Sequence, residues 1–146
     1  KRQLLMGLRA SLALLRNEGH DAVHARHRRV AAMVHAAVAR WGEAGALALH
    51  VTEPAERSTS VTTISVADGV DVEALRLTAR DRYQVAVAGG LGPHAGRMFR
   101  IGHLGAVHPG MILGALGGVE AALRDCGIAI GDGALQCAVE AARESD

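Results

Sequence analysis

The apolar residues of this chain change period along its length, and the order of those changes restricts the folds open to it. Residues 3–16 place Leu4, Leu5, Leu8, Leu12 and Leu15 at helical spacing, which predicts a helix ending near Gly19. Asp21 offers a cap for a long helix reaching about Glu43 and closed by Gly45, with Val23, Val30, Val34, Ala37 and Trp41 as its apolar stripe. Residues 46–51 read as a strand. In residues 61–66, Val61, Thr63 and Ser65 alternate with Thr62, Ile64 and Val66, the pattern of a half-buried strand. Asp68-Gly69 is a turn, and Asp71 caps a helix through Arg82, with Val70 and Leu75 spaced for a hydrophobic staple. Two further strands are expected at residues 83–88 and 98–101, on either side of Gly89-Gly90-Leu91-Gly92-Pro93. Pro109 opens a helix with stripe Ile112, Leu116, Val119 and Leu123, ending at Gly127. Asp132 begins a last helix to about Arg143, with Leu135, Ala138, Val139 and Ala142 facing inward.

The resulting order is α-α-β-β-α-β-β-α-α. Short glycine-bearing connections between strands favour an α+β fold, a mainly antiparallel sheet of three to four strands covered by helices. No internal repeat or linker interrupts it, so residues 1–146 read as one domain. Trp41, Tyr83 and Phe99 are the only aromatic residues, so the core must be aliphatic.

Charge and cysteine content narrow the function. A net charge of +1 argues against a nucleic-acid partner. The two cysteines, Cys126 and Cys137, lack metal spacing and are expected as small buried residues on two helices, in a reducing, cytoplasmic compartment. No apolar run approaches the roughly 18 residues of a membrane span, and no signal peptide is recognisable. The basic residues are fifteen arginines and a single lysine, Lys1. Schiff-base chemistry would therefore rest on a terminal residue. The chain opens inside a helical pattern and reads as part of something longer.

Three patterns are weak on chemical grounds. Gly90-Leu91-Gly92-Pro93-His94-Ala95 matches a dinucleotide-binding spacing, but Pro93 and Gly96 lead to a strand and not to the helix that a pyrophosphate needs. A glycine-rich hairpin connection is the better reading. His20, His24 and His27 share one side of a helix, yet Arg26, Arg28 and Arg29 beside them repel a cation, so a solvated basic face is expected. No serine stands in a nucleophile elbow. The remaining candidate is Arg100, in Phe99-Arg100-Ile101-Gly102-His103-Leu104-Gly105. An arginine between Phe99 and Ile101 on a strand points away from both, and a guanidinium grips a carboxylate through two parallel hydrogen bonds. By chemistry alone, an arginine paired for structural reasons stays open.

Those residues also carry a resemblance. Residues 99–105, FRIGHLG, closely resemble a signature near the C-terminus of class V pyridoxal-phosphate aminotransferases of the alanine–glyoxylate and serine–pyruvate group. Residues 85–92, VAVAGGLG, are similar to the strand and loop preceding it there. Residues 23–29, VHARHRR, resemble the family's long helix, and residues 7–19, GLRASLALLRNEG, the helix joining its two domains. The resemblance implies the small domain of a fold-type I aminotransferase, in a homodimeric enzyme. Its large domain would hold pyridoxal 5'-phosphate and the Schiff-base lysine. It further implies that Arg100 binds the α-carboxylate of a small amino acid such as alanine or serine, with glyoxylate or pyruvate as acceptor. Gly89, Gly90 and Gly92 would line the cleft entrance without a binding role, and no catalytic role passes to His103. By the same resemblance the chain alone should be inactive. Two alternatives stand beside this reading: a pyridoxamine–pyruvate aminotransferase or related lyase of the same family, and a noncatalytic α+β ligand-binding module.

Overall fold

The computed structural model describes residues 2–144. In chain order it contains helices α1 (Arg2–Glu18) and α2 (His20–Gly42), strands β1 (Leu47–Leu49) and β2 (Val61–Val66), and helix α3 (Val72–Tyr83). Strands β3 (Ala88–Gly89) and β4 (Met98–Gly102) follow, then helices α4 (Pro109–Asp125) and α5 (Ala134–Glu144). The strands form one antiparallel sheet in the order β1-β2-β4-β3. The expected α+β architecture, with a small antiparallel sheet and helices against it, is the one observed.

The core is aliphatic, as the shortage of aromatics requires. Helix α2 buries Val23, His27, Val30, Ala31, Met33, Val34, Ala37, Val38 and Trp41, the widest contribution of any element. Of these, Val30, Met33, Val34, Ala37, Val38 and Trp41 pack with Ile64, Phe99 and Ile101 from the sheet and with Ile112, Leu116, Val119 and Leu123 from α4. Trp41 satisfies its one polar atom by donating to the Glu120 carboxylate at 3.0 Å. Helix α1 is different: it buries no residue.

Local caps explain the boundaries. Asp71 accepts from the Ala74 N–H at 2.9 Å and starts α3 as expected. The expected cap at Asp21 is displaced: α2 begins after Gly19, whose φ of 89° turns the chain sharply out of α1, and Asp21 lies inside the first helical turn. The strand expected at residues 83–88 shrinks to Ala88–Gly89. Helix α3 takes Tyr83, and Gln84 closes it in the left-handed conformation (φ 57°) with its N–H directed to the Ala79 and Arg80 carbonyls. Val85 then donates to the Ala79 carbonyl and packs against α4 at Gly118, where an added Cβ would lie 2.5 Å from its side chain. Its apolar character therefore reflects helix packing and not a place in the sheet. The cysteines also differ from expectation: both are free and only half-buried, and Cys126 sits just past the end of α4, 3.6 Å from the Thr78 hydroxyl.

Candidate substrate-carboxylate site

Strand β4 is read from both sides of the sheet. Phe99 and Ile101 are buried in the core opposite Ile64 and Thr62 of β2. Arg100 therefore projects to the other face, where its cross-strand neighbours are Thr63 on β2 and Ala88 on β3. Its Nε donates to the Gly89 carbonyl at 3.0 Å, which draws the side chain along the sheet toward β3. Among the described residues the two terminal amino groups make no hydrogen bond, and no carboxylate pairs with them. The guanidinium is thus anchored at its inner nitrogen while its two terminal nitrogens stay unengaged. Thr63 and the Gly89 carbonyl were not foreseeable, because strand register is not written in a single sequence.

The glycine-rich connection shapes one side of this face. Gly90 donates to the Met98 carbonyl at 2.9 Å, and an added Cβ there would lie 2.1 Å from the His94 carbonyl oxygen. Only glycine lets the loop fold down this closely. A short turn, Gly92–His94, leads by residues 95–97 into β4, so no helix opens behind the glycines, in keeping with a hairpin connection. His94 meets His50 edge-on at 5.8 Å, and His50 shares a 2.9 Å hydrogen bond with the Ser65 hydroxyl. Met98, on the same face as Arg100, is buried under this loop.

Beyond β4 the chain is held by histidines. His103 is fully buried: its Nδ1 donates to the Thr59 carbonyl at 3.1 Å, and its Nε2 then accepts from the Thr62 hydroxyl at 2.9 Å. Burial holds this imidazole below its ordinary pKa. Its ring stands edge-on to His35 at 6.2 Å, and His35 is lowered further, to about 4, by burial and by the neighbouring His103 and Arg57. The solvated basic face expected for His20, His24 and His27 holds only in part. His20 and His24 are exposed, but His27 turns into the core, its Nδ1 2.7 Å from the Val23 carbonyl and its Nε2 accepting from the Gly105 N–H at 3.2 Å. A one-turn backbone partner and a distant loop amide give it a structural post that helical spacing alone does not reveal. Among the described residues no group of three potential metal ligands assembles, and no helix is long and apolar enough to cross a membrane.

No family model matches the chain. It is 48% identical over 126 residues to serine–glyoxylate aminotransferase of Hyphomicrobium methylovorum, covering 86% of this chain and 30% of that protein. L-aspartate–glyoxylate aminotransferase of Paracoccus denitrificans is 39% identical over 127 residues, again 87% of this chain and 31% of the relative. The fold agrees as well. The crystal structure of pyridoxamine–pyruvate aminotransferase from Mesorhizobium loti superposes at a TM-score of 0.87 with 32% identity, over 96% of this chain and 35% of that one.

The chain is homologous to part of the serine– and aspartate–glyoxylate aminotransferases. It spans about a third of their length, 30% and 31% of the two curated relatives above. Ureidoglycine–glyoxylate aminotransferase from Bacillus subtilis shares the fold too, at a TM-score of 0.76 and 28% identity over 93% of this chain. Sequence and fold thus agree with the resemblance carried by residues 99–105 and the segments before it.

Proposed function

We propose that these 146 residues are the small, C-terminal domain of an aminotransferase that moves an amino group from a small amino acid, serine or alanine, to glyoxylate or pyruvate. The carrying observation is the Arg100 fork, fixed by Gly89 at Nε and open at its end. A fork held at its base loses little freedom on meeting an α-carboxylate, and two parallel hydrogen bonds fix the carboxylate plane. That sets the substrate Cα at a defined position and leaves the amino group free to point away from the sheet. Thr63 and Ala88, on either side, bound the space beside the carboxylate.

Pyridoxal 5'-phosphate, when bound, supplies the electron sink for cleaving the Cα–H bond. The residues here fit the substrate side of such a site and not the cofactor side. Among those described there is no lysine, and Lys1 lies outside them. The Schiff-base lysine is accordingly assigned to a large domain beyond this chain, and the chain alone is expected to be inactive. A homodimer and a cytoplasmic setting belong to the same reading, the latter supported by two free thiols. Pyridoxamine–pyruvate transamination is the second reading, favoured by the TM-score of 0.87 to that enzyme. It uses the same carboxylate contact for pyruvate or alanine.

The test is made in the full-length polypeptide that contains this chain. A charge-assisted hydrogen-bond pair contributes about 1.5–3 kcal/mol. Arg100→Lys should lower kcat/KM for amino acids roughly 10- to 100-fold, and Arg100→Ala should lower it further. Amines without a carboxylate should be turned over as slowly as before, with cofactor absorbance retained. Equal losses for amino acids and amines would show a merely structural arginine. Assays with serine, alanine and pyridoxamine as donors separate the two readings, and no turnover of any donor would leave a noncatalytic module.

A further inference from the structure

We propose that Arg26 is a positioning residue: it ties the last turn of α1 to the loop that continues the Arg100 strand, so that the set of α1 governs how firmly that strand end is held. The inference rests on the assignment of Arg100 as the carboxylate anchor. Helix α1 buries nothing and turns into α2 through Gly19, so its attitude depends on few contacts. The strongest is a fork-on-fork pair: Arg26 donates from Nε to Glu18 Oε1 at 2.6 Å and from Nη2 to Oε2 at 2.8 Å. The remaining arm, Nη1, reaches the Gly105 carbonyl in a short contact and the Val107 carbonyl at 3.5 Å.

Gly105 is gripped from both sides by successive residues of α2. Arg26 holds its carbonyl, and His27 accepts from its N–H at 3.2 Å. With φ at 96°, Gly105 takes a backbone conformation that other residues adopt only under strain, so this grip has a built receptor. The loop runs from the end of β4 to the start of α4. Its other anchor is His103, whose N–H donates to the Ser60 carbonyl at 2.9 Å and whose ring holds Thr62, the neighbour of the residue opposite Arg100. Leu15 and Glu18 of α1 face Leu104, Gly105 and Ala106 across a cleft of about 570 Å³, and Arg26 lies in its wall. Swinging α1 about Gly19 would open or close that cleft, and Arg26 is the side chain that spans it. Only a guanidinium serves both ends at once. A lysine ammonium at this place can pair with Glu18 or reach the loop carbonyls, but lacks the fork to do both.

The experiment uses the full-length polypeptide, with amide hydrogen exchange as one arm and kinetics as the other. Arg26→Gln should speed exchange across residues 103–108 on the order of tenfold, the value of one hydrogen bond of about 1.4 kcal/mol. It should also raise KM for amino acids about three- to tenfold, with kcat and the turnover of carboxylate-free amines within about twofold. Arg26→Lys, able to serve only one end, should speed exchange either at residues 103–108 or in α1, and should not leave both at the parent's rate. Unchanged exchange at residues 103–108 in Arg26→Gln, or unchanged exchange at both ends in Arg26→Lys, overturns the tie whatever the enzyme does. Faster exchange with no effect on KM overturns its bearing on Arg100, as does equal harm to amino acids and amines. Failure of the carboxylate assignment itself is read elsewhere, in Arg100 variants that do not distinguish amino acids from amines, and it leaves the exchange arm decisive for the tie.

Discussion

His35 and His103 are a pair of imidazoles that this fold keeps uncharged, and that has a pH signature. His35 is half-buried, lies at about 4 instead of its ordinary 6.5, and lines a small cavity with Arg57. His103 is lowered in the same direction. Both folded values lie below the unfolded one, so the unfolded chain binds more protons in mildly acidic solution. Stability should therefore be full above pH 6.5 and fall as pH drops toward 4, by ~2 kcal/mol for His35 once the roughly 3 kcal/mol of its full shift is reduced for the solvent screening of a half-exposed ring. Urea unfolding midpoints between pH 7 and 4.5 would check this, with His35→Leu flattening the profile; parallel profiles for parent and variant would refute it. At this scale the sequence was only half legible. That Arg100 points away from Phe99 and Ile101 follows from strand alternation. That Gly89 anchors its base does not, since the partner sits on a strand only two residues long. His27 and Arg26 looked like members of one basic face, because helical spacing says which side a residue takes and nothing about a loop arriving from β4.

Among the elements, α1 stands apart. Leu4, Leu5, Leu8 and Leu14 are 79%, 67%, 55% and 70% exposed, an apolar surface of a size rarely left open on a soluble monomer. The isolated chain should consequently self-associate through this helix. Sedimentation at rising concentration should show dimers or larger species, and Leu4→Glu with Leu8→Glu should return it to monomer; a strict monomer that binds no apolar dye would count against this. Acid should loosen the same helix at its other end. Hydrogen bonding to Arg26 holds the Glu18 carboxyl below its ordinary 4.5, so the pair persists above that pH and is lost as pH falls through the lowered value. Protection of α1 amides, corrected for the intrinsic pH dependence of exchange, should then fall more steeply on acidification than that of α4. The helices themselves were readable from periodicity, and the stripes of α2 and α4 fell on buried positions. The strand at residues 83–88 misled because Val85 and Val87 alternate like strand residues, although Gln84 and Val85 finish α3. Helix C-caps made by a non-glycine residue leave little trace in sequence.

For the molecule as a whole, the lysine count gives the sharpest test of what this part can do unaided. With Lys1 as its only lysine, the purified chain should form no stoichiometric borohydride-trapped adduct with pyridoxal phosphate at any residue from 2 to 144. Peptide mapping after reduction would reveal one, and finding it would undo the division of labour proposed above. The architecture was legible because each level agreed: periodicity, caps and glycine-bearing connections all led to one antiparallel sheet with helices against it. The order β1-β2-β4-β3 was not, since it depends on which strands meet across the chain. That order has a consequence for assembly. The two rims of the sheet are β1, three residues long, and β3, two. Rims so short offer almost no row of free amides and carbonyls for a foreign strand to zip onto. Neighbouring polypeptide must therefore meet this sheet through side chains and not by adding a strand to it.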